Sequence, residues 1–165
     1  MNRINACLIV TCVCLLAGCG LEPNAPRPLA KTATFDVYAV VAPGTAGALM
    51  LPQVDFDSPP VNGMPAVNQV AVSAKPIISG KDVESVQRST VEEMYPSITV
   101  NLTPAGATKM NAATAKMTGS AVAVVVNGTV VSTPKVLTPI SASFRVTGSG
   151  TASDFDEMFG ALTDD

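Results

Sequence analysis

"SITVNLTPAGATKMNAATAKMTGSAVAVVVNGTVVSTP", residues 97–134, holds one strand, one helix and one hairpin in a row. Ile98, Val100 and Leu102 alternate with polar residues, the two-residue period of a half-buried strand. Thr103 then stands where a helix N-cap belongs, and Pro104 occupies the first helical position, where a missing N–H costs nothing. The spacing predicts a helix from Pro104 to about Thr118. Ala107, Met110, Thr114 and Met117 fall on one face, and Gly119 supplies the left-handed residue that ends it. Methionines at this spacing fill cores and are not a ligand box. "AVAVVV" reads as a buried strand, Asn127-Gly128 supplies the two positive φ angles of a type I′ turn, and "TVVS" returns.

Downstream, "PISASFRVT" alternates Ile140, Ala142, Phe144 and Val146, a strand that can pair with the hairpin and extend an antiparallel sheet. "TASDFDEMFGAL" has Thr151 or Ser153 as cap, acids in its first turn, and Phe155, Met158, Phe159 and Leu162 as a packing face. Upstream, "TATFDVYAVV" is a first strand. Residues 42–66 are rich in Pro and Gly and read as a loop with one short strand around Leu51 to Phe56; "AVNQVAVSAKPII" is a second strand. In "GKDVESVQRSTVEEM", Val83, Val86, Val91 and Met94 lie at helix-like intervals, so a short helix is expected there. The sum is an α+β domain, an antiparallel sheet with helices on one face.

The N-terminus sets which residues belong to that domain. "MNRINACLIVTCVCLLAGCG" has Arg3, an apolar run from Ile4 to Leu16, then the small residues Ala17 and Gly18 before Cys19. A membrane-spanning helix needs about 20 apolar residues, and this run is shorter, so residues 1–18 read as a signal peptide. Leu16-Ala17-Gly18-Cys19 resembles the lipobox of bacterial lipoproteins, which implies acylation of Cys19 and cleavage after Gly18. Gly20 is not the aspartate that resembles an inner-membrane retention signal, so an outer-membrane destination is favoured. Two or more acyl chains, at about 0.8 kcal/mol per buried CH₂, hold a protein firmly at a membrane. Residues 19–32 carry Pro23, Pro26 and Pro28 and read as an extended tether of up to about 40 Å. The domain is 33–165.

Composition removes several functions. The chain has 165 residues, a net charge of −3 and no histidine. Lys and Arg are scattered singly, so the basic footprint of a nucleic-acid binder is missing. Of four cysteines, Cys7, Cys12 and Cys14 leave with the signal peptide, so no disulfide forms within the mature chain and roughly 120 residues must fold on their own core. Without histidine or a spare cysteine, the usual general base, zinc ligand and thiolate are missing. Glu92 and Glu93 point apart on any regular element. Asp154, Asp156 and Glu157 could be imagined as a calcium or acid/base cluster, but acids in a first helical turn are explained by the helix dipole. No catalytic residue, metal site or cofactor is expected. The sequons at Asn101 and Asn127 are read as coincidence.

The stretch from "ISGKDVESV" through "ITVNLTPAGATKM" and "VVVNGTVVSTP" to "VTGSGTASDFDEM" resembles the head subdomain of the first periplasmic region of SecD, a partner of the bacterial protein-export channel. The resemblance covers 78–163 and runs through Gly80, Leu102, Gly106, Met110, Thr114, Gly119, Gly128, Val130, Ser132, Pro134, Ile140 and Gly148. Met110 replaces the family's usual aromatic, Asn127 its aspartate and Thr133 its alanine. The resemblance implies a periplasmic binding module that contacts exported or unfolded polypeptide, or an envelope protein, with an apolar patch or open edge near the 120–147 sheet. It does not imply proton-driven motion, which in SecD rests on membrane helices. The other reading is a passive structural or assembly lipoprotein, and an enzyme ranks below both.

Overall fold

The computed structural model describes residues 24–55, 66–89, 96–147 and 151–164. Among the described residues nine strands form two sheets: β1 Phe35–Ala39, β2 Leu49–Asp55, β3 Ala66–Val72, β4 Ile78–Ser79, β5 Val83–Ser89, β6 Ser97–Leu102, β7 Val122–Val126, β8 Thr129–Ser132 and β9 Ser143–Thr147. Helix α1 is Pro104–Thr114 and α2 is Ala152–Thr163. The larger sheet has the order β3-β2-β8-β7-β1-β4, the smaller β5-β6-β9. The α+β class is as expected. The strands after Ser97 are nevertheless divided between two sheets, and β2 joins β8 in parallel at Gln53 and Val130.

β7 is the central element. All five of its residues are buried, because β1 and β8 flank it and both its faces are covered. Asn127 (φ 49°) and Gly128 (φ 81°) make the expected left-handed turn into β8. Asn127 also does more than turn: its side-chain oxygen accepts from the Thr34 amide at 2.9 Å, and its amide donates to the Thr34 carbonyl at 3.0 Å. The hairpin tip thus sets the start of β1.

Val122, Val124 and Val126 enter the main core with Phe35, Val37, Ile78, Val86, Ile98, Val100, Val146, Met110 and the α2 residues Phe155, Phe159 and Leu162. At about 25 cal/mol per Å² of apolar surface, these side chains dominate folding. On the opposite face Ala123 and Val125 join Val72 and Val130, with Tyr38, Val40, Leu51 and Val70 at the rim. That second cluster exists because the larger sheet coils back on itself. The Val41 amide donates to the Ala71 carbonyl at 3.0 Å and the Ser73 amide to the Ala39 carbonyl at 2.9 Å, so the end of β3 is bonded to the end of β1.

Three expectations need correction. The helix expected over residues 80–94 is a single 3₁₀ turn, Gly80–Asp82, followed by strand β5; Val91 and Met94 lie outside the described residues. Val83 and Val86 are both buried although a regular strand would place them on opposite faces. A bulge between Val83 and Ser85 adds one residue to the count and returns both valines to the core. A bulged strand therefore mimics helical spacing.

Strand β9 pairs with β6, not with the hairpin. The free side of β8 is taken by β2, and bonds between Val136 and both Gly119 and Ser120 carry the chain away from it. A hydroxyl pins the rest of that crossing: buried Thr114 donates to the Met110 carbonyl at 2.7 Å and accepts from the Ile140 amide at 2.9 Å. Ser132 Oγ then links the two sheets by donating to the Thr147 carbonyl at 2.7 Å.

Helix α1 ends at Thr114, four residues early, because tighter bonds from Lys116 to the Ala113 carbonyl and from Met117 to the Thr114 carbonyl replace the α-helical pattern. Its expected face is right, with Met110 and Thr114 buried and Ala107 and Met117 packed against the core. The strand expected around Leu51 to Phe56 is β2, two residues longer at its start; Phe56 lies outside the described residues.

Candidate interaction surface

The acidic residues have structural work. Thr151 and Asp154 form a capping box: the Asp154 amide donates to Thr151 Oγ1 at 3.3 Å, and Asp154 Oδ2 accepts from the Thr151 amide at 2.6 Å. Asp156 pairs with Arg88 of β5 at 3.1 Å, and the Arg88 guanidinium lies 5.1 Å from the centre of the Phe159 ring. Among the described residues no three His, Cys, Asp or Glu gather as metal ligands would, and Glu92 and Glu93 lie outside the described set.

A buried carboxylate that the sequence reading passed over, Asp82, sits where α1 meets the 3₁₀ turn. Lys109 Nζ donates to Asp82 Oδ1 at 2.6 Å, and the Ser79 amide to Oδ2 at 3.1 Å. Burial alone would push the Asp82 carboxyl up. The Lys109 hydrogen bond, the Ser79 amide and the charges of Lys109 and Lys81 outweigh burial and hold it below the usual carboxylate range. Its main-chain carbonyl accepts from the Thr103 amide at 3.0 Å. A Cβ on Gly106 would lie 2.3 Å from that oxygen, which is why a glycine opens this helix. The Gly-Lys-Asp and Thr-Pro-Ala-Gly segments, with Asp82 and Thr103 21 residues apart in sequence but joined in space, are thus one packing device.

Asp36 shows the opposite behaviour. It lies on the β1 face that carries Tyr38, where burial pushes its carboxyl up; burial, then the Asp36 charge, pushes the Tyr38 phenol up as well. Among the described residues no hydrogen bond or ion pair reaches the Asp36 carboxylate.

The gap between the sheets and α2, lined by Phe35, Ile98, Val124, Val131, Val146 and Met158 among others, is wholly apolar and has no room for a water molecule. Exposed apolar side chains mark a different place. Leu49 (41%), Met50 (51%) and Val67 (60%) lie on the β2–β3 ribbon, and Leu137 (75%) in the crossing before β9. Met50 pairs with Ala71 and Val67 with Val54, so Met50 and Val67 share the ribbon's outer face while Leu51 and Val70 close the small cluster beneath. β3 is an edge strand, paired with β2 on one side and on the other bonded to the end of β1 only at its own far end. This is not where the patch was expected. β7 and β8 are interior strands, so of the 120–147 segment only β9 and Leu137 offer an edge or a large exposed apolar side chain. The signal was the apolar, charge-free run "LMLPQV" inside the stretch read as mostly loop.

No helix among the described residues is long and apolar enough to cross a membrane. The family model described as SecDF, P1 head subdomain, matches residues 58–163. No curated protein sequence matches the chain. Its fold is similar to that of a solved SecDF, described as a membrane component that enhances protein export, with a TM-score of 0.54 and 16% identity over 81% of this chain and 60% of that one. It is also similar to SecDF in a super-membrane-facing form, with a TM-score of 0.52 and 16% identity over 76% of this chain. The chain spans only 18% of the length of that second structure. The strand, helix, hairpin, strand and helix from Ser97 onward all lie within the matched residues, and the chain belongs to the SecDF P1 head subdomain family.

Proposed function

We propose that this chain is a non-enzymatic binding module of the bacterial periplasm, acylated on Cys19, held at the outer membrane, and engaging unfolded or exported polypeptide. The observation that carries the reading is the match of residues 58–163 to a head subdomain of an export component. The surface supports it: Met50 and Val67 present apolar contacts beside the edge strand β3, and an extended peptide can use both at once. Main-chain bonds to an edge strand give affinity without demanding one sequence, which suits a partner that has no fold. Tight, sequence-specific recognition would instead call for a pocket with convergent polar groups.

The test is binding of one exported polypeptide, unfolded and folded, to the purified protein by fluorescence anisotropy. Saturable binding to the unfolded form alone, weakened about tenfold by Met50→Ser with Val67→Ser, supports the proposal; half-exposed anchors of this kind are worth together about 1.4 kcal/mol, which is a factor of ten. Equal affinity for both forms, or none, returns the chain to the reading of a passive assembly lipoprotein. Anchoring is tested separately, by whether Cys19→Ser moves the protein from the membrane to the soluble fraction.

A further inference from the structure

The segment that precedes β1 is built into the domain. Arg27 acts as a one-residue strand on the outer edge of β5: its amide donates to the Val86 carbonyl and its carbonyl accepts from the Val86 amide, both at 2.8 Å. Three residues on, the amide of buried Ala30 donates at 2.7 Å to the carbonyl of Leu162, in the last turn of α2, where helix carbonyls lack partners of their own. The Thr32 hydroxyl reaches Asp164 at 3.4 Å, and the Arg27 guanidinium lies 5.8 Å from the centre of the Phe159 ring. Local sequence prepares this arrangement. Pro26 and Pro28 flank Arg27, fix their own φ near −65°, and bias Ala25 and Arg27 toward extended backbone, so little entropy is lost on docking. Neither proline has an N–H, which leaves Arg27 as the donor between them.

We infer that residues 24–32 are a latch which fixes where the lipid-bearing arm leaves the body, at the β5–α2 corner, and so confines the domain to partners close to the membrane surface. The inference rests on the acylation of Cys19 proposed above. Eight residue steps run from Cys19 to Arg27, and at about 3.5 Å each they reach about 28 Å at full extension, against about 45 Å for an arm free to residue 32. The β5–α2 corner therefore stays within that distance of the bilayer, and the exported polypeptide this module meets lies within that reach plus the breadth of the body.

Two measurements separate the latch from the anchor. Amide hydrogen exchange on the full-length Cys19→Ser protein needs no lipid. The Arg27 and Ala30 amides should exchange on the order of 100-fold more slowly than in an unstructured chain. Arg27→Pro should abolish the protection of Ala30 and leave that of Val100 intact. Unprotected Arg27 and Ala30 amides in the parent overturn the latch. On vesicles, the acylated protein carries a fluorophore on Glu157→Cys, an exposed position of α2, and energy transfer to labelled headgroups reports its distance from the bilayer. A ten-residue Gly-Ser insert before Asn24 and the Arg27→Pro change should each reduce transfer. An insert that acts while Arg27→Pro does not contradicts the reach limit. Failure to bind vesicles at all removes the anchor, and the confinement with it, whatever the exchange data say.

Discussion

On one face of β7, Val122, Val124 and Val126 meet phenylalanine, isoleucine and methionine side chains from two sheets and two helices; on the other, Ala123 and Val125 meet a smaller set, Val72 and Val130 with Tyr38, Val40, Leu51 and Val70 at the rim, beneath the β2–β3 ribbon. The same strand therefore serves a thick core and a thin one. Burial scales with the apolar area that neighbours can cover, so the thick side carries most of the stability. The thin side ends in half-exposed Leu49, Met50 and Val67, apolar groups that cost little to leave uncovered and are available to a partner. Family membership runs with this division only in part. Residues 58–163 contain the whole thick-side framework from β5 onward together with β3, whereas β1 and β2 precede the match.

The largest effect should come from emptying the thick core. Met110→Ala removes a fully buried side chain, and urea denaturation should show a loss of about 3 to 4 kcal/mol. Val130→Ala in the thin cluster should cost about half as much, because the ribbon can settle onto the gap. Equal losses would break the comparison. Gly106→Ala pushes a Cβ into the Asp82 carbonyl, and since backbone meets backbone, about 2 to 3 kcal/mol should be lost.

Much of the thick side could be read from residue order. β7 and its turn, the Thr103-Pro104 helix start, the Thr151 cap and the α2 face all follow from chemistry local to a few residues, and the structure places them as expected. What escaped was non-local. Nothing near Val83 announces that a bulge will bring it and Val86 to one face. The choice of β6 over β8 as partner for β9 depends on β2, ninety residues earlier, having taken the free side of β8. Pro26 and Pro28 read as a free tether; that Arg27 would find an edge on β5 was not visible, because the edge is made by tertiary structure. The exposed apolar ribbon was missed for the same reason, since whether Met50 is covered depends on what folds over it.

Titration sharpens the contrast further. Asp82 has a folded pKa below its unfolded value near 3.8, so its contribution to stability is present above that pH and is lost as pH falls through the folded value. Asp36 has a folded pKa above 3.8, so its contribution is present at low pH and is lost as pH rises through the folded value. Asp82→Asn should lower stability at neutral pH and flatten its acid limb. Asp36→Asn should raise stability at neutral pH. Chemical denaturation from pH 3 to 7 checks both, and shifts of the same sign would refute the assignment of one to a paired and the other to an unpaired carboxylate.

The smallest effect on stability should be on the outer ribbon. Met50→Ser with Val67→Ser should change unfolding free energy by no more than about 0.5 kcal/mol, as surface substitutions do. A thermal scan that showed a large drop would mean the ribbon is structural after all.

Site-specific photocrosslinking in cells tests the central claim most directly. A photoreactive residue at Met50 or Val67 should join the protein to exported polypeptide in transit, and the same residue at exposed Ala112 of α1 should not. Adducts of equal yield at all three positions, or at Ala112 alone, would contradict a module that works through its β2–β3 ribbon.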